Sequence, residues 1–373
     1  MLKYFSVENF KNFKDKIEMD FSVVRNYNFN THCIKSNTVK NAIIYGKNSS
    51  GKSNLGYAIF DIMYNLVDKK INYSLYENYL NANSDKDFAY FTYVFLLDDD
   101  EVKYEYKKRS ITEFAFEKLT INGELMFSYD FISHSGNFSG VKSRISDTLN
   151  LMDHFDLSIV RYIANNTIMD DSMPIKKLVR YVSNMVWFRS IGSNQYIGTE
   201  LAERTITNYL LKNNLLKEFE SFLNECGIDE KLISKKDPTG TDVIYFKKKK
   251  LLPFATAASS GTMALSMFYL WYNQLKTLSF VWIDEFDAFY HYELSESIVK
   301  MLEKQDYCQT VLSSHNTNLL SNSIMRPDTY FILSKGRLVS LCNATDRELR
   351  EGHNLEKLYM NGEFEFEKNI SHS

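Results

Sequence analysis

Gly46-Lys47-Asn48-Ser49-Ser50-Gly51-Lys52-Ser53 sets two glycines around four polar residues and closes on a lysine and a hydroxyl. This is the spacing GxxxxGK[ST]. Glycine permits backbone angles and close approaches that a side chain blocks, so successive N–H groups can turn inward around phosphate oxygens. The apolar run 41–45 before it predicts a buried strand, and the helical spacing of apolar residues over 54–63 predicts a helix whose N-terminus adds partial positive charge. In that setting Gly46, Asn48, Ser49, Ser50 and Gly51 form the expected phosphate cradle. Lys52 would reach the outer phosphates of a nucleotide, and Ser53 would ligate Mg²⁺.

A second constellation stands near the other end of the chain. Phe280-Val281-Trp282-Ile283 is a continuous apolar run that ends in Asp284-Glu285, the pattern of a buried parallel strand carrying acids at its carboxyl end, where ligands of such sheets sit. Asp284 is expected to share the metal with Ser53, and Glu285 to orient and deprotonate an attacking water. Upstream, Ser259-Ser260-Gly261-Thr262 is a small-residue turn opening an amphipathic run, hence a second anion-binding helix end. One chain has no use for two such ends on one phosphate, but two chains do if each supplies its Ser259 turn to the other's nucleotide. After the apolar Thr310-Val311-Leu312 comes His315, placed to hydrogen-bond the terminal phosphate or the water if its strand neighbours the acidic one.

These residues need a sheet to hold them, and the chain is long enough to supply it. It has 373 residues, 44% hydrophobic and 15% aromatic, with a formal net charge of −3. That balance gives no global attraction to nucleic acid. Cys33, Cys226, Cys308 and Cys342 form no CxxC pair and read as free thiols of a reducing cytosol. Glu8 and Asn9 interrupt any signal-like apolar start, and no run approaches a membrane span, so a soluble cytoplasmic protein without membrane partners is expected.

Along the chain, residues 1–69 read as the first part of an α/β nucleotide-binding core. Residues 70–141 read as an antiparallel β-layer, with strands over 88–97, 101–108 and 114–121. Residues 142–227 read as a helical lobe, including a helix over 175–188 that opens at Pro174. Residues 228–373 begin with a hairpin carrying Lys247-Lys248-Lys249-Lys250 and return to the core. The lysines are either a contact for nucleic acid or a solvated hairpin tip.

The order of phosphate loop, Ser-Ser-Gly-Thr turn, acid-ended strand with Asp287 shortly after, and histidine resembles the ABC-type ATPase superfamily. Together with Val7-Glu8-Asn9-Phe10-Lys11-Asn12-Phe13, Ser314-His315-Asn316-Thr317-Asn318 and the tail 354–364, it is most similar to stand-alone bacterial ATPases related to SMC heads and to the OLD group. The resemblance implies an α/β head with a mixed sheet and an inserted helical lobe, ATP and Mg²⁺ as ligands, and a head-to-tail homodimer in which Asp287 couples two composite sites. It also implies an adenine pocket near Lys11 and Phe13. Relatives of this kind serve in anti-phage defence as sensors or scaffolds controlling a toxic effector, here expected to be a separate nuclease. The alternative is a DNA-engaging repair ATPase of the SMC-head type. Ala258 and Thr262 replace the ends of the usual Leu-Ser-Gly-Gly-Gln signature, and Gln195 is the candidate for the glutamine that completes the metal shell.

Overall fold

The protein is described from a computed structural model covering residues 1–68, 70, 72–145, 149, 155, 157–189, 195–198 and 205–364. Two seven-stranded sheets form its layers. In the central sheet five parallel strands run in the order Met185–Arg189, Phe280–Asp284, Gln309–Ser314, Asn41–Tyr45 and Tyr330–Ser334. Gln195–Gly198 and Arg337–Ser340 close its two edges antiparallel. The second sheet is antiparallel throughout and takes the order 135–137, 124–130, 114–121, 100–108, 89–97, 2–8 and 17–20.

The inner strands of the central sheet are apolar on both faces because both faces are covered. Ala42, Ile44, Trp187, Trp282 and Val311 point into one core, shared with the antiparallel sheet. Their alternates Ile43, Tyr45, Val186, Val281 and Ile283 point into the other. Between the sheets runs the helix Lys52–Leu66, buried on nearly every side. It lies tight on the central sheet at Gly56, where an added Cβ would come within 2.9 Å of the Trp187 indole nitrogen. Tyr93, from the antiparallel sheet, donates its hydroxyl to Ala58 O on the opposite side of the helix at 2.8 Å.

Two expectations are corrected. The helix that opens at Pro174 ends at Ser183, and Met185–Arg189 is a strand beside the acidic one rather than the helix's continuation to residue 188. A short apolar run bounded by polar residues satisfies either periodicity, and the aromatic Trp187 and Phe188 fill opposite faces of the sheet. Residues 142–227 thus supply strands to the central sheet as well as helices over 159–166, 174–183, 206–212 and 216–225. The stretches 146–148, 151–154, 190–194 and 199–204 of that lobe lie outside the described residues. The hairpin is also reset: strands Leu232–Lys236 and Asp242–Phe246 turn at 237–241, and the four lysines lie in the next, exposed turn before Leu252.

Candidate nucleotide site

The strand Asn41–Tyr45 is wholly buried and delivers the chain at the carboxyl edge of the sheet, where the loop from Gly46 turns back into the helix. Gly51 caps that helix at φ 105, and a Cβ there would fall 2.3 Å from the Asn12 amide. Asn12 donates to Ser50 O at 3.2 Å and accepts from the Asn54 amide at 2.7 Å, so the loop after the first strand braces the phosphate loop from outside.

The register of the parallel strands then gathers the chemistry. The Ser53 hydroxyl donates to Asp284 Oδ2 at 2.6 Å, and the Ser313 hydroxyl donates to Asp284 Oδ1 at 2.6 Å. Asp284 is completely buried, and both its oxygens are fixed by these bonds. Glu285, one residue on, takes the left-handed φ of 47 and donates its N–H to Ser313 Oγ at 2.8 Å. This turn separates two consecutive acids, Glu285 lining the cavity and Asp284 buried behind Ser53. Arg189, in register with Asp284 on the next strand, holds Glu285 Oε2 at 2.8 Å and reaches Asp284 Oδ2 at 3.9 Å.

Lys52 Nζ donates to Gly46 O at 2.8 Å and meets His315 Nε2 at 2.9 Å. Burial holds the lysine's pKa below its ordinary value, against the pull of Asp284, Glu285 and Asp287. Burial first, and then Lys52, lower the pKa of His315, which favours a neutral imidazole at neutral pH. Asp287 is pushed the other way by burial, while the Ser314 hydroxyl donates to its Oδ2 at 2.5 Å. A cavity of about 270 Å³ lined by residues 48–54, Glu285 and His315 opens into one of about 730 Å³ that adds Asp287, Ala288, Tyr290 and Asn316.

The structure therefore brings together Gly46, Asn48, Ser49, Ser50, Gly51, Lys52, Ser53, Asp284, Glu285 and His315, with Asp287 on the rim. It does not bring Ser259, Ser260 or Gly261 to this cavity. Ser259 caps its own helix, accepting from Thr262 N at 3.1 Å, and Gly261 lies against the Phe289 carbonyl, where a Cβ would approach to 3.3 Å. Phe13 corrects an expectation: it is 1% exposed and packed in the core, so its ring is not presented to a base. Lys11 turns to Glu77 O at 2.8 Å, and Asn12 between them faces the loop. Asn12, Arg189 and Ser313 are the residues that sequence reasoning missed. Arg189 had a signal in the apolar strand ending in a cation; the other two depend on loop return and register. Gln195 pairs by its backbone with Arg189 at the sheet edge, and its side chain lies outside the described residues.

Comparison with family models matches residues 42–321 to "AAA domain, putative AbiEii toxin, Type IV TA system". The matched span is well over half of the chain and contains every catalytic candidate. The chain belongs to this AAA-domain family. No curated protein matches it in sequence. Among solved structures, this AAA-domain chain is similar to an SMC head bound to the C-winged helix domain of ScpA, at 15% identity and TM-score 0.50, covering 91% of this chain and 97% of that one. The SMC head domain from Thermotoga maritima aligns at 16% identity and TM-score 0.42 over 91% and 98%. The recombination mediator RecF with ATP aligns at 13% and 0.41 over 91% and 99%. At such identities the likeness is one of fold, an α/β P-loop ATPase head. Among the described residues no helix is long and apolar enough to cross a membrane.

Proposed function

We propose that the chain binds and hydrolyses ATP with Mg²⁺ in composite sites between two copies of itself, and uses the resulting change of shape to control a separate effector. The observation that carries this reading is the meeting of Lys52, Ser53, Glu285 and His315 around one open cavity, with Asp284 buried directly behind Ser53. Lys52 exchanges its contacts with Gly46 O and His315 for phosphate oxygens, a charge-assisted bond to a chelating anion. The Ser53 hydroxyl and the Asp284 carboxylate are hard oxygen donors already 2.6 Å apart, the donor set that suits Mg²⁺. When bound, the ion neutralises phosphate charge. Glu285, released from Arg189, accepts a proton from the attacking water. A neutral His315 offers one N–H to the terminal phosphate.

The Ser259 turn completes the partner copy's site in this reading, because within its own chain it faces the 286–290 segment rather than the phosphate loop. The test is complementation. Neither Lys52→Ala nor Ser259→Arg homodimers should hydrolyse ATP, while mixing them should restore activity through one intact composite site. No recovery despite demonstrated subunit exchange would overturn the sandwich.

The effector role has a coarser support. The family description speaks of a toxin and a toxin–antitoxin system, which fits a two-component arrangement. The OLD-like motifs favour a nuclease as effector and anti-phage defence as setting, with the lobe at 142–227 as transmitter between the core segments 1–69 and 228–373. Protection of cells from phage should then require both this gene and a neighbour, and be lost with Lys52→Ala; protection by this gene alone would place the effector within the chain. The exposed Lys247–Lys250 turn favours the second reading, a DNA-engaging ATPase. Stimulation of turnover by DNA would select it.

A further inference from the structure

We infer that His32, Cys33 and Glu303 form a binding site for a zinc-like divalent cation at the end of the central sheet remote from the phosphate loop. His32 and Cys33 lie on the single turn Thr31–Cys33, and Glu303 is the last residue of the helix Tyr292–Glu303. One ligand atom from each lies within 4.8 Å of the other two, and His32 Nε2 stands 3.2 Å from Glu303 Oε2. Glu303 is far from the other two in sequence; the chain from Cys33 folds through the small hairpin 34–39 and returns beside it to enter the phosphate-loop strand, Lys40 N donating to Cys33 O at 2.8 Å.

An independent observation points to a missing ligand. Glu303 is 4% exposed, and its Oε1 is buried with no hydrogen-bond partner. A buried carboxylate oxygen without a partner is costly, and neither lysine whose charge acts on it relieves it by a hydrogen bond, since Lys300 pairs with Glu296. Lys40 Nζ is engaged by Glu303 O at 3.0 Å, Gln305 O at 2.7 Å and Asp306 Oδ1 at 2.9 Å. The carboxylate thus keeps free capacity toward the thiol and the imidazole. A metal ion that took both oxygens would give Oε1 the partner that it lacks.

The donor set selects the cation. One sulfur, one imidazole nitrogen and one carboxylate oxygen suit zinc rather than magnesium or calcium, which prefer oxygen alone. Tetrahedral zinc at about 2.0–2.3 Å from its ligands holds ligand atoms roughly 3.3–3.8 Å apart, so the trio needs only a modest closing. His32 can supply that movement, since its side chain is 47% exposed while Cys33 is buried. Its open side leaves the fourth position to water. The bound ion would tie the lead-in of the phosphate-loop strand to the helix that follows the acid-bearing strand.

Co²⁺ and Zn²⁺ serve as probes on the full chain after chelator treatment. Titration with Co²⁺ should give one equivalent bound per chain and a near-ultraviolet sulfur-to-cobalt charge-transfer band. The band should vanish in Cys33→Ser and persist in Cys342→Ser, which removes another free thiol. Should Cys33→Ser fail to fold, His32→Ala at the exposed position decides: Zn²⁺ affinity, read by competition with a chromophoric chelator, should fall at least about tenfold. A folded wild-type chain without the band, a band that survives Cys33→Ser, or unchanged Zn²⁺ affinity in His32→Ala would each overturn the site.

Discussion

The helix Lys52–Leu66 carries two polar clusters, and they are built to opposite ends. At its start, Lys52 and Ser53 face an open cavity that Glu285 also lines, with Asp284, at the end of the same strand, behind Ser53. Two turns on, Asp61 is completely buried and accepts from Tyr79 Oη at 2.8 Å, Tyr106 Oη at 2.9 Å and Lys108 Nζ at 3.1 Å. Lys108, likewise unexposed, also donates to Asn65 Oδ1 at 2.8 Å. The second cluster is closed: its charges answer one another among buried side chains. The first leaves Lys52 and His315 holding each other beside an open cavity, contacts that the proposed nucleotide would replace. Closed polar networks fix how layers dock, whereas open ones leave binding energy to be spent on a ligand.

The comparison breaks first, and with the largest effect, at Lys108. Lys108→Met keeps the stem's volume but leaves Asp61 as an uncompensated buried charge between the phosphate helix and the antiparallel sheet. Stability should fall by about 3–5 kcal/mol, measured by denaturant unfolding. Any loss of ATP binding should follow the loss of folded protein. A variant as stable as wild type would mean that the closed network is ornamental and that the two clusters do not differ in kind.

Glu285→Gln tests the open side. The amide retains shape and hydrogen bonding but cannot take a proton, so ATP should bind while turnover falls by ~10² or more, equivalent to about 2.7 kcal/mol of barrier. Unfolding should be nearly unchanged, because Glu285 is only half-buried and no packing depends on its charge. Wild-type turnover would move the base elsewhere, His315 being next in reach of the cavity.

How far the two clusters could be read from the sequence follows from how they are written. The phosphate loop and the acid-ended strand are contiguous, since the chemistry needs several groups from one turn of backbone, and the fold class follows from the strands and helix that flank them. Ser313 enters through sheet register and Asn12 through the return of a loop, long-range properties that no local spacing encodes, whereas Arg189 at least ends an apolar run. The strand 185–189 was hidden by a short apolar run that suits helix and strand alike. Phe13 is expected near a base because the family resemblance implies an adenine pocket there, but the bridge between Phe10 and Phe13 turns both rings into the core. The closed cluster left one legible trace: Lys108 shares its strand face with Val102, Tyr104 and Tyr106, all buried, so a charged residue there needed a buried partner.

The smallest expected effect belongs to Arg189, where the open cluster is partly closed. Its guanidinium lies 2.8 Å from Glu285 and 3.9 Å from Asp284, the two acids that the proposed reaction needs for its proton and its cation. A fixed positive charge there competes with Mg²⁺ for the same carboxylates. Coulomb's law alone would make the competition large at such distances, but the guanidinium and Glu285 side chains are 26% and 23% exposed, so solvent reduces it to about 1 kcal/mol. Arg189→Ala should therefore lower the Mg²⁺ concentration that half-saturates ATP binding by about fivefold, read by calorimetry, with stability almost unaltered. An unchanged Mg²⁺ requirement would assign the arginine to holding Glu285 in place. A raised one would mean that Arg189 assists the bound nucleotide, and that the open cluster is already arranged for its ligand before any exchange of partners.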